Sequence, residues 1–281
     1  MRIDAHQHFW RYDAARDHWI TDEMRVLKRD YLPEHLRPEL KAAGIDATVA
    51  VQADQSEAET RFLLALADAN PEIAGVVGWV DFCGESCGKM IESYGEFAKI
   101  CGFRHVAQSE PDDRFLVRDD FVRGIAHLAA FDFTYDILIY PKQLPAAIEL
   151  VERFPNQRFV VDHIAKPLIK TGEIEPWAAH MRRIAKHENV SCKLSGLITE
   201  ANWIHWKAAD FRPYLDLVFE AFGTDRLMFG SDWPVCLLAG SYGRVVDLIA
   251  KYAASDHNKI FGDNAARFYG LRVLAHGPTA Q

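Results

Sequence analysis

The run from Arg2 to Trp10, close to the start of the chain, carries Asp4, His6 and His8 at alternate positions. As a β-strand it would project His6 and His8 from one face, with Asp4 behind them. Two imidazoles on one face can share a metal ion or polarise a carbonyl held between them. A lone His-x-His is equally a pair of polar residues on an edge strand, so its meaning depends on what the rest of the chain brings to it.

The elements that must position this pair are short apolar runs alternating with amphipathic segments. After Arg2 to Trp10, residues 11 to 41 read as a long loop with short helices. Further strands are expected at Ala47 to Asp54, Gly75 to Phe82, Gly102 to Ala107, Phe133 to Tyr140, Arg158 to Ile164, Val190 to Leu197 and Arg226 to Trp233. Between them lie helical patterns. One starts at Ser56 with Glu59 three residues on, a capping box, and ends at Asn70-Pro71. Another runs from Cys87 to Ile100 and is closed by Gly102, and others cover Asp119 to Ala130, Gln143 to Phe154, Pro176 to His187, Lys207 to Phe222 and Gly243 to Ala254. Asn264 to Tyr269 closes the chain. Eight strands alternating with helices predict an α/β fold, a single (β/α)8 TIM barrel forming one domain over residues 1–281. An open doubly wound sheet is the competitor, but no glycine-rich phosphate-binding turn follows any strand.

In such a barrel, chemistry collects at the C-terminal strand ends. Polar residues ending otherwise apolar runs are His6 and His8, Gln52, Trp79 and Asp81, Arg104, His163 with nearby Lys166, Lys193, and Asp232. Ionisable groups entering an apolar barrel must be paired, solvated or ligating. Each has an ordinary use too: Arg104 tied to a loop carboxylate, His163 a satisfied core histidine beside a capping Asp162, Asp232 the cap of a turn. Their joint convergence on one mouth is harder to explain in that way. The other nine histidines, His18, His35, His105, His127, His180, His187, His205, His257 and His276, fall mostly in helices or loops and read as ordinary polar residues.

Composition narrows the partners. The chain has 281 residues, 49% hydrophobic and 26% charged, with a net charge of −8, which argues against nucleic acid and anionic membrane and for a small-molecule ligand. Five cysteines without Cys-x-x-Cys spacing suggest neither a disulfide framework nor a thiolate metal site. The first strand begins at once and no apolar run approaches membrane-spanning length, so the expected location is cytoplasmic. The oligomeric state is left open.

His-x-His ending the first strand, a later barrel histidine and an aspartate ending the last strand resemble the amidohydrolase superfamily, in its metal-dependent-hydrolase branch of TIM barrels. Several stretches look like its sugar-lactonase subgroup: Arg29-Asp30-Tyr31-Leu32-Pro33, Val76-Val77-Gly78-Trp79-Val80-Asp81, Val161-Asp162-His163-Ile164-Ala165-Lys166-Pro167, Phe229-Gly230-Ser231-Asp232-Trp233-Pro234 and Phe261-Gly262-Asp263-Asn264. The resemblance covers nearly the whole chain. Binuclear members of the superfamily use a carboxylated lysine or glutamate and histidines from two central strands. Here only His163 stands at such a strand end, and the seventh strand offers Lys193.

The resemblance therefore implies a site with one divalent metal, Zn²⁺ on His6, His8 and Asp232, or a site that works without one. It implies a hydrolase opening a sugar-acid lactone, L-fuconolactone or a related aldonolactone, in sugar catabolism. Asp232 would take a proton from water, with His8 and His163 as its catalytic companions. Gln52, Trp79, Arg104, Lys166, Lys193 and Trp233 would bind the sugar, with Trp19 and Tyr140 as further walls. Two alternatives stand beside it. A superfamily decarboxylase or aromatic-dicarboxylate lactone hydrolase would need a pocket dense in arginine, and a binding protein on a degenerate barrel would not need the histidines.

Overall fold

The computed structural model describes residues 1–271, so His276 lies outside the described residues. Eight parallel strands follow one another around a single sheet: β1 Ile3–Gln7, β2 Ala47–Val51, β3 Ile73–Gly78, β4 Ile100–His105, β5 Thr134–Ile137, β6 Phe159–Val161, β7 Val190–Leu194 and β8 Leu227–Phe229. Helices follow each strand: α1 Pro33–Ala43, α2 Glu57–Ala69, α3 Cys87–Tyr94, α4 Asp119–Ile125, α5 Leu144–Arg153, α6 Trp177–Ile184, α7 Ala208–Phe222 and α8 Tyr242–Ala253, with α9 Asn264–Tyr269 last. This is the expected (β/α)8 barrel. No helix among the described residues is long and apolar enough to cross a membrane.

Strands covered on both faces read as continuous apolar runs, as β2 (ATVAV) does. Ile3, Ala5, Val49, Val51, Val77, Val160 and Met228 fill the barrel interior, and Ala265, Phe268 and Tyr269 of α9 pack against them. Each buried side chain of this size contributes about 1.5–3 kcal/mol relative to exposure, so the interior is a filled core rather than a channel.

The strands and helices are mostly shorter than the spans read from sequence, and two stretches differ in kind. The stretch before β2 contains a full helix, α1, started by Pro33 and stopped by Gly44 at φ 63°. Proline at the first helical turn sacrifices no intrahelical bond, and a left-handed glycine ends it. The helix expected to run to Ile100 stops at Tyr94, and Ile100 already belongs to β4. Gly102 is therefore no helix stop; it lies in β4, where a Cβ would come within 2.8 Å of the Thr134 carbonyl oxygen on β5. The Ser56 cap is observed, its hydroxyl accepting from Glu59 N at 3.2 Å. Glu59 turns its carboxylate to Ala53 N instead of back to the cap.

Two features of the sheet position the site. Asp4 pairs with Thr48 and Gln7 with Ala50, so β1 spends three steps where β2 spends two. This bulge breaks simple alternation. Asp4 and His6 consequently do not share a face: Asp4 accepts from Tyr242 on α8 at 3.1 Å, whereas His6 enters the barrel. The second feature is closure. The seam between β8 and β1 is made just past β8, where Asp232 N donates to His6 O at 2.8 Å and His8 N donates to Trp233 O at 2.7 Å.

Candidate active site

That seam brings three side chains together. His8 Nε2 lies 3.3 Å from His6 Nε2 and 3.4 Å from Asp232 Oδ1, and His6 Nε2 lies 4.0 Å from the same oxygen. His8 Nδ1 donates to Val51 O at 2.7 Å, since a carbonyl can only accept, which leaves the His8 Nε2 lone pair directed at Asp232. Asp232 itself sits at φ 57°. Gly230, two residues earlier, has no room for a side chain, because a Cβ would stand 2.6 Å from His6 Cβ. Burial alone would raise the Asp232 carboxyl, but His163, His8 and Lys166 around it outweigh that and hold the group below its usual range.

His163 arrives by a different device. After β6 the chain makes a left-handed turn in which His163, Ile164, Ala165 and Lys166 all have φ between 46° and 58°. None is glycine, and left-handed backbone costs about 1–2 kcal/mol per L-residue. Surrounding bonds impose it: Trp177 Nε1 donates to Ile164 O at 2.7 Å and Lys166 N to His163 O at 2.8 Å. Strain of this kind gathers at functional sites. The turn sets His163 Nε2 3.9 Å from Asp232 Oδ1, with Nδ1 2.9 Å from Ser195 Oγ. Gly196 admits the imidazole, since a Cβ there would come within 2.6 Å of His163 Nδ1. Burial pushes the pKa of His163 well below its ordinary value, so the ring is neutral.

Beneath these groups lies a buried ion network. The Lys193 ammonium stands 2.5 Å from Asp136 Oδ2, 3.0 Å from Asp162 Oδ1 and 3.0 Å from His6 Nδ1. Tyr269 donates to Asp136 at 2.8 Å. Arg104 donates to Asp162 Oδ2 at 3.0 Å and to the Gln52 carbonyl. Against the cost of its burial, the cations Lys193 and Arg104 together with His6 hold Asp162 well below the usual carboxylate range. Buried charges of both signs are thus paired, as the low dielectric demands.

Above the seam is a cavity of about 310 Å³, within the range of small-molecule sites. Of the residues expected at the site, His8, His163, Asp232, Arg104, Lys166 and Trp19 line it. Lys166 Nζ reaches to 3.5 Å from Glu200 Oε1 and stands over the Tyr140 ring. His6 lies just beneath, fully buried.

Four expected sugar-binding residues, and the expected wall Tyr140, are not among the residues lining this cavity. Lys193 is fully buried in the ion network, because its side chain points into the barrel below the mouth. Gln52 is also fully buried and donates to Arg104 O at 3.2 Å. Trp79 turns away toward His105, its Nε1 3.3 Å from His105 Nδ1. Trp233 packs edge-on against Phe9 and Tyr31 and serves the seam through its backbone. The cavity gains instead Arg16 and His18 from the loop after β1, with Gln55, Gln108 and Ser109 from the loops after β2 and β4. The signal for Asp136 and Asp162 was the one that found Lys193, a charge within or directly after an apolar strand. The loop residues carried no such signal.

The three atoms at the seam fit a divalent cation. A lone pair on His8 Nε2 facing a carboxylate oxygen at 3.4 Å is repulsive unless a proton or a cation lies between them. Two imidazole nitrogens and one carboxylate oxygen are a donor set that a catalytic zinc accepts with a position left open. His6, His8 and Asp232 are buried and have ligand atoms within 4.8 Å of one another, as do His6, Asp162 and His163.

A family model described as amidohydrolase matches residues 3–271. The chain is 43% identical to an L-fucono-1,5-lactonase of Burkholderia multivorans over 286 residues, covering 96% of both. It is 37% identical to an L-fucono-1,5-lactonase of Burkholderia ambifaria, again covering 96% of both. Among solved structures, an amidohydrolase from Burkholderia multivorans with bound zinc superposes with a TM-score of 0.91 at 42% identity, covering 97% of this chain and all of that one.

Proposed function

The chain belongs to the amidohydrolase family, and from that membership we propose that it hydrolyses a sugar-acid lactone, L-fucono-1,5-lactone or a close aldonolactone, to the free acid. The observation that carries this reading is the meeting of His6, His8 and Asp232 at the floor of a small-molecule cavity.

Lactone hydrolysis needs a base for water, donors for the developing oxyanion and a proton for the leaving ring oxygen. Asp232, ionised because its pKa lies below the usual range, takes the proton of a water held above the seam. The water oxygen bonds to the carbonyl carbon, and the carbonyl oxygen takes up the negative charge. His6 and the Arg104 guanidinium, whose Nη1 is 3.3 Å from His6 Nε2, form the donor side for that oxyanion. As the carbonyl re-forms, the ring C–O bond breaks and Asp232 returns its proton to the leaving oxygen. His8 and His163 orient the Asp232 carboxylate throughout, each fixed at its far nitrogen by Val51 O and Ser195 Oγ respectively. The product acid ionises, so turnover releases one proton.

His6, His8 and Asp232 are the residues that would hold Zn²⁺, which when bound supplies Lewis-acid polarisation of the carbonyl and a more acidic water. A lactone is an activated ester, and the chain's own base and donors suffice to turn it over.

The sugar itself meets Trp10, Trp19, Leu138 and Val235 as apolar surface, with Arg16, His18, Gln108, Ser109 and Lys166 as hydrogen-bonding groups. The dicarboxylate alternative loses support here. Arg16 is paired with Asp17, which leaves Arg104 as the one guanidinium among the described lining residues to meet a substrate, where a dicarboxylate calls for more. A panel of aldonolactones, with acid release followed in weak buffer, tests the reading. Acceleration is expected with L-fucono-1,5-lactone, and no acceleration with any aldonolactone refutes it.

A further inference from the structure

β4 ends in two neighbouring side chains that leave the strand on opposite faces. Arg104 enters the barrel mouth, whereas His105 turns away from it and lies nearly parallel to the Phe115 ring at 4.7 Å and edge-on to Phe121. Both ring nitrogens of His105 are engaged. Trp79 Nε1 donates to Nδ1 at 3.3 Å, and Nε2 lies 2.7 Å from Glu110 Oε1. An indole N–H can only donate, so Nδ1 is the acceptor, the ring proton sits on Nε2, and Nε2–H donates to the Glu110 carboxylate. Burial lowers the pKa of the ring, which favours the neutral form that this chain of bonds requires.

The chain ties three segments together. Trp79 follows β3 and is clamped to α2, since its amide donates to Thr60 Oγ1 at 2.8 Å and its carbonyl accepts from the same hydroxyl at 2.9 Å. Glu110 ends the single helical turn Ala107–Ser109 that follows β4. Val106, Gln108 and Ser109 of this loop line the cavity. The first part of the loop is stitched to the cavity wall: Val106 N donates to Gln55 Oε1 at 2.7 Å and Gln108 N to Leu138 O at 3.1 Å. At its far end Glu110 N only closes the turn onto Ala107 O, and residues 111–114 beyond it are exposed. Among the described residues, the Glu110 carboxylate is therefore the group that ties that end back to the strand.

A buried imidazole between an indole and a carboxylate is costly to desolvate, and an apolar ring of similar shape holds a fold as well or better. What a fully satisfied buried chain supplies is a single arrangement. We propose that His105 is a positioning residue: through Glu110 it holds the loop after β4 in the one placement in which Gln108 and Ser109 meet the sugar, so that their hydrogen bonds form without the loop being ordered on binding. Trp79, which does not line the cavity, contributes to binding through this chain by fixing which nitrogen of His105 carries the proton. Ordering a loop in advance acts on affinity and leaves the bond-breaking step alone. The inference rests on the lactonase reading and deepens it by naming what sets the sugar-binding wall.

The test follows acid release from L-fucono-1,5-lactone by the unmodified full chain and by His105→Phe, Glu110→Met and Glu110→Gln, each checked by circular dichroism and thermal melting. His105→Phe keeps the stack on Phe115 and loses both bonds, and Glu110→Met keeps the length of the side chain and loses the acceptor. In both, KM should rise at least about fivefold while kcat stays within about twofold. Glu110→Gln still offers an oxygen to the His105 N–H and should keep KM within about twofold of the unmodified chain. A merely structural role would lower melting and leave KM unchanged. Unchanged KM in folded His105→Phe, a fall in kcat as large as that in kcat/KM, or Glu110→Gln as impaired as Glu110→Met overturns the proposal. If His105→Phe does not fold, the two Glu110 variants decide. Absence of turnover by the unmodified chain refutes the lactonase reading and takes this proposal with it, so the two failures are told apart.

Discussion

His6 and Asp232 meet twice: the Asp232 amide donates to the His6 carbonyl at 2.8 Å, and the Asp232 carboxylate lies 4.0 Å from His6 Nε2. The first contact closes the barrel and the second builds the site. Groups that close a fold are held by it, which is how a catalytic constellation is kept in place without a dedicated scaffold.

Gly230 is the residue this arrangement spares least. In Gly230→Ala the new Cβ would stand 2.6 Å from His6 Cβ and 3.0 Å from Ser195 Cβ, two neighbours with no freedom to retreat. Overpacking of this kind costs about 1–3 kcal/mol. Thermal melting should fall accordingly and turnover should fall with it, because the side chain displaced is His6. Melting and turnover equal to those of the unmodified chain would remove the seam as the element that sets the site.

Removing metal separates the two ways of polarising the carbonyl. If Asp232 and the protein's donors carry the reaction, exhaustively chelated protein, verified metal-free by elemental analysis, should keep at least about a tenth of its rate, since a positioned base alone is worth roughly 10²–10⁴. A loss beyond about a thousandfold that Zn²⁺ restores would assign the polarisation to the metal.

Glu59 gives the molecule a pH signature outside the chemistry. Burial raises its carboxyl from 4.5 to about 7, opposed by the Ala53 amide and by Arg16. A folded-state pKa above the unfolded one means that the fold favours the protonated form. That stability is fully present below pH 4.5 and is lost as pH rises through about 7. A shift of this size corresponds to up to about 3 kcal/mol. Glu59→Gln keeps an acceptor for Ala53 N and removes the titration. The variant should therefore melt higher than the unmodified chain at pH 8, the gain shrinking toward pH 5. An equal difference at both values would mean that Glu59 does not titrate in this window.

The fold was legible because the apolar runs of β2, β3 and β6 alternate with amphipathic helices at short spacing, and the polar residues His6, His8, His163 and Asp232 stand out at strand ends. What escaped the sequence lies below the resolution of a pattern. The β1 bulge adds one residue and puts Asp4 and His6 on different faces, although alternation pairs them. The left-handed turn at residues 163–166 contains no glycine to announce it, being imposed by tertiary bonds. Lys193 and Arg104 look alike as charges at strand ends, yet one lies beneath the mouth and the other lines the cavity, a difference of depth that sequence does not carry. Arg16 and His18 reach the cavity from a loop whose path only the folded chain defines.

The central claim is that Asp232 moves the proton of the attacking water. Its most direct test is acid release from L-fucono-1,5-lactone by the unmodified chain and by Asp232→Asn, both at matched concentration and with matched circular dichroism. The account predicts a rate well above spontaneous opening for the first and a loss of about 10²–10⁴ for the second. A variant that retains turnover within a few-fold of the unmodified chain, its fold intact, would contradict it.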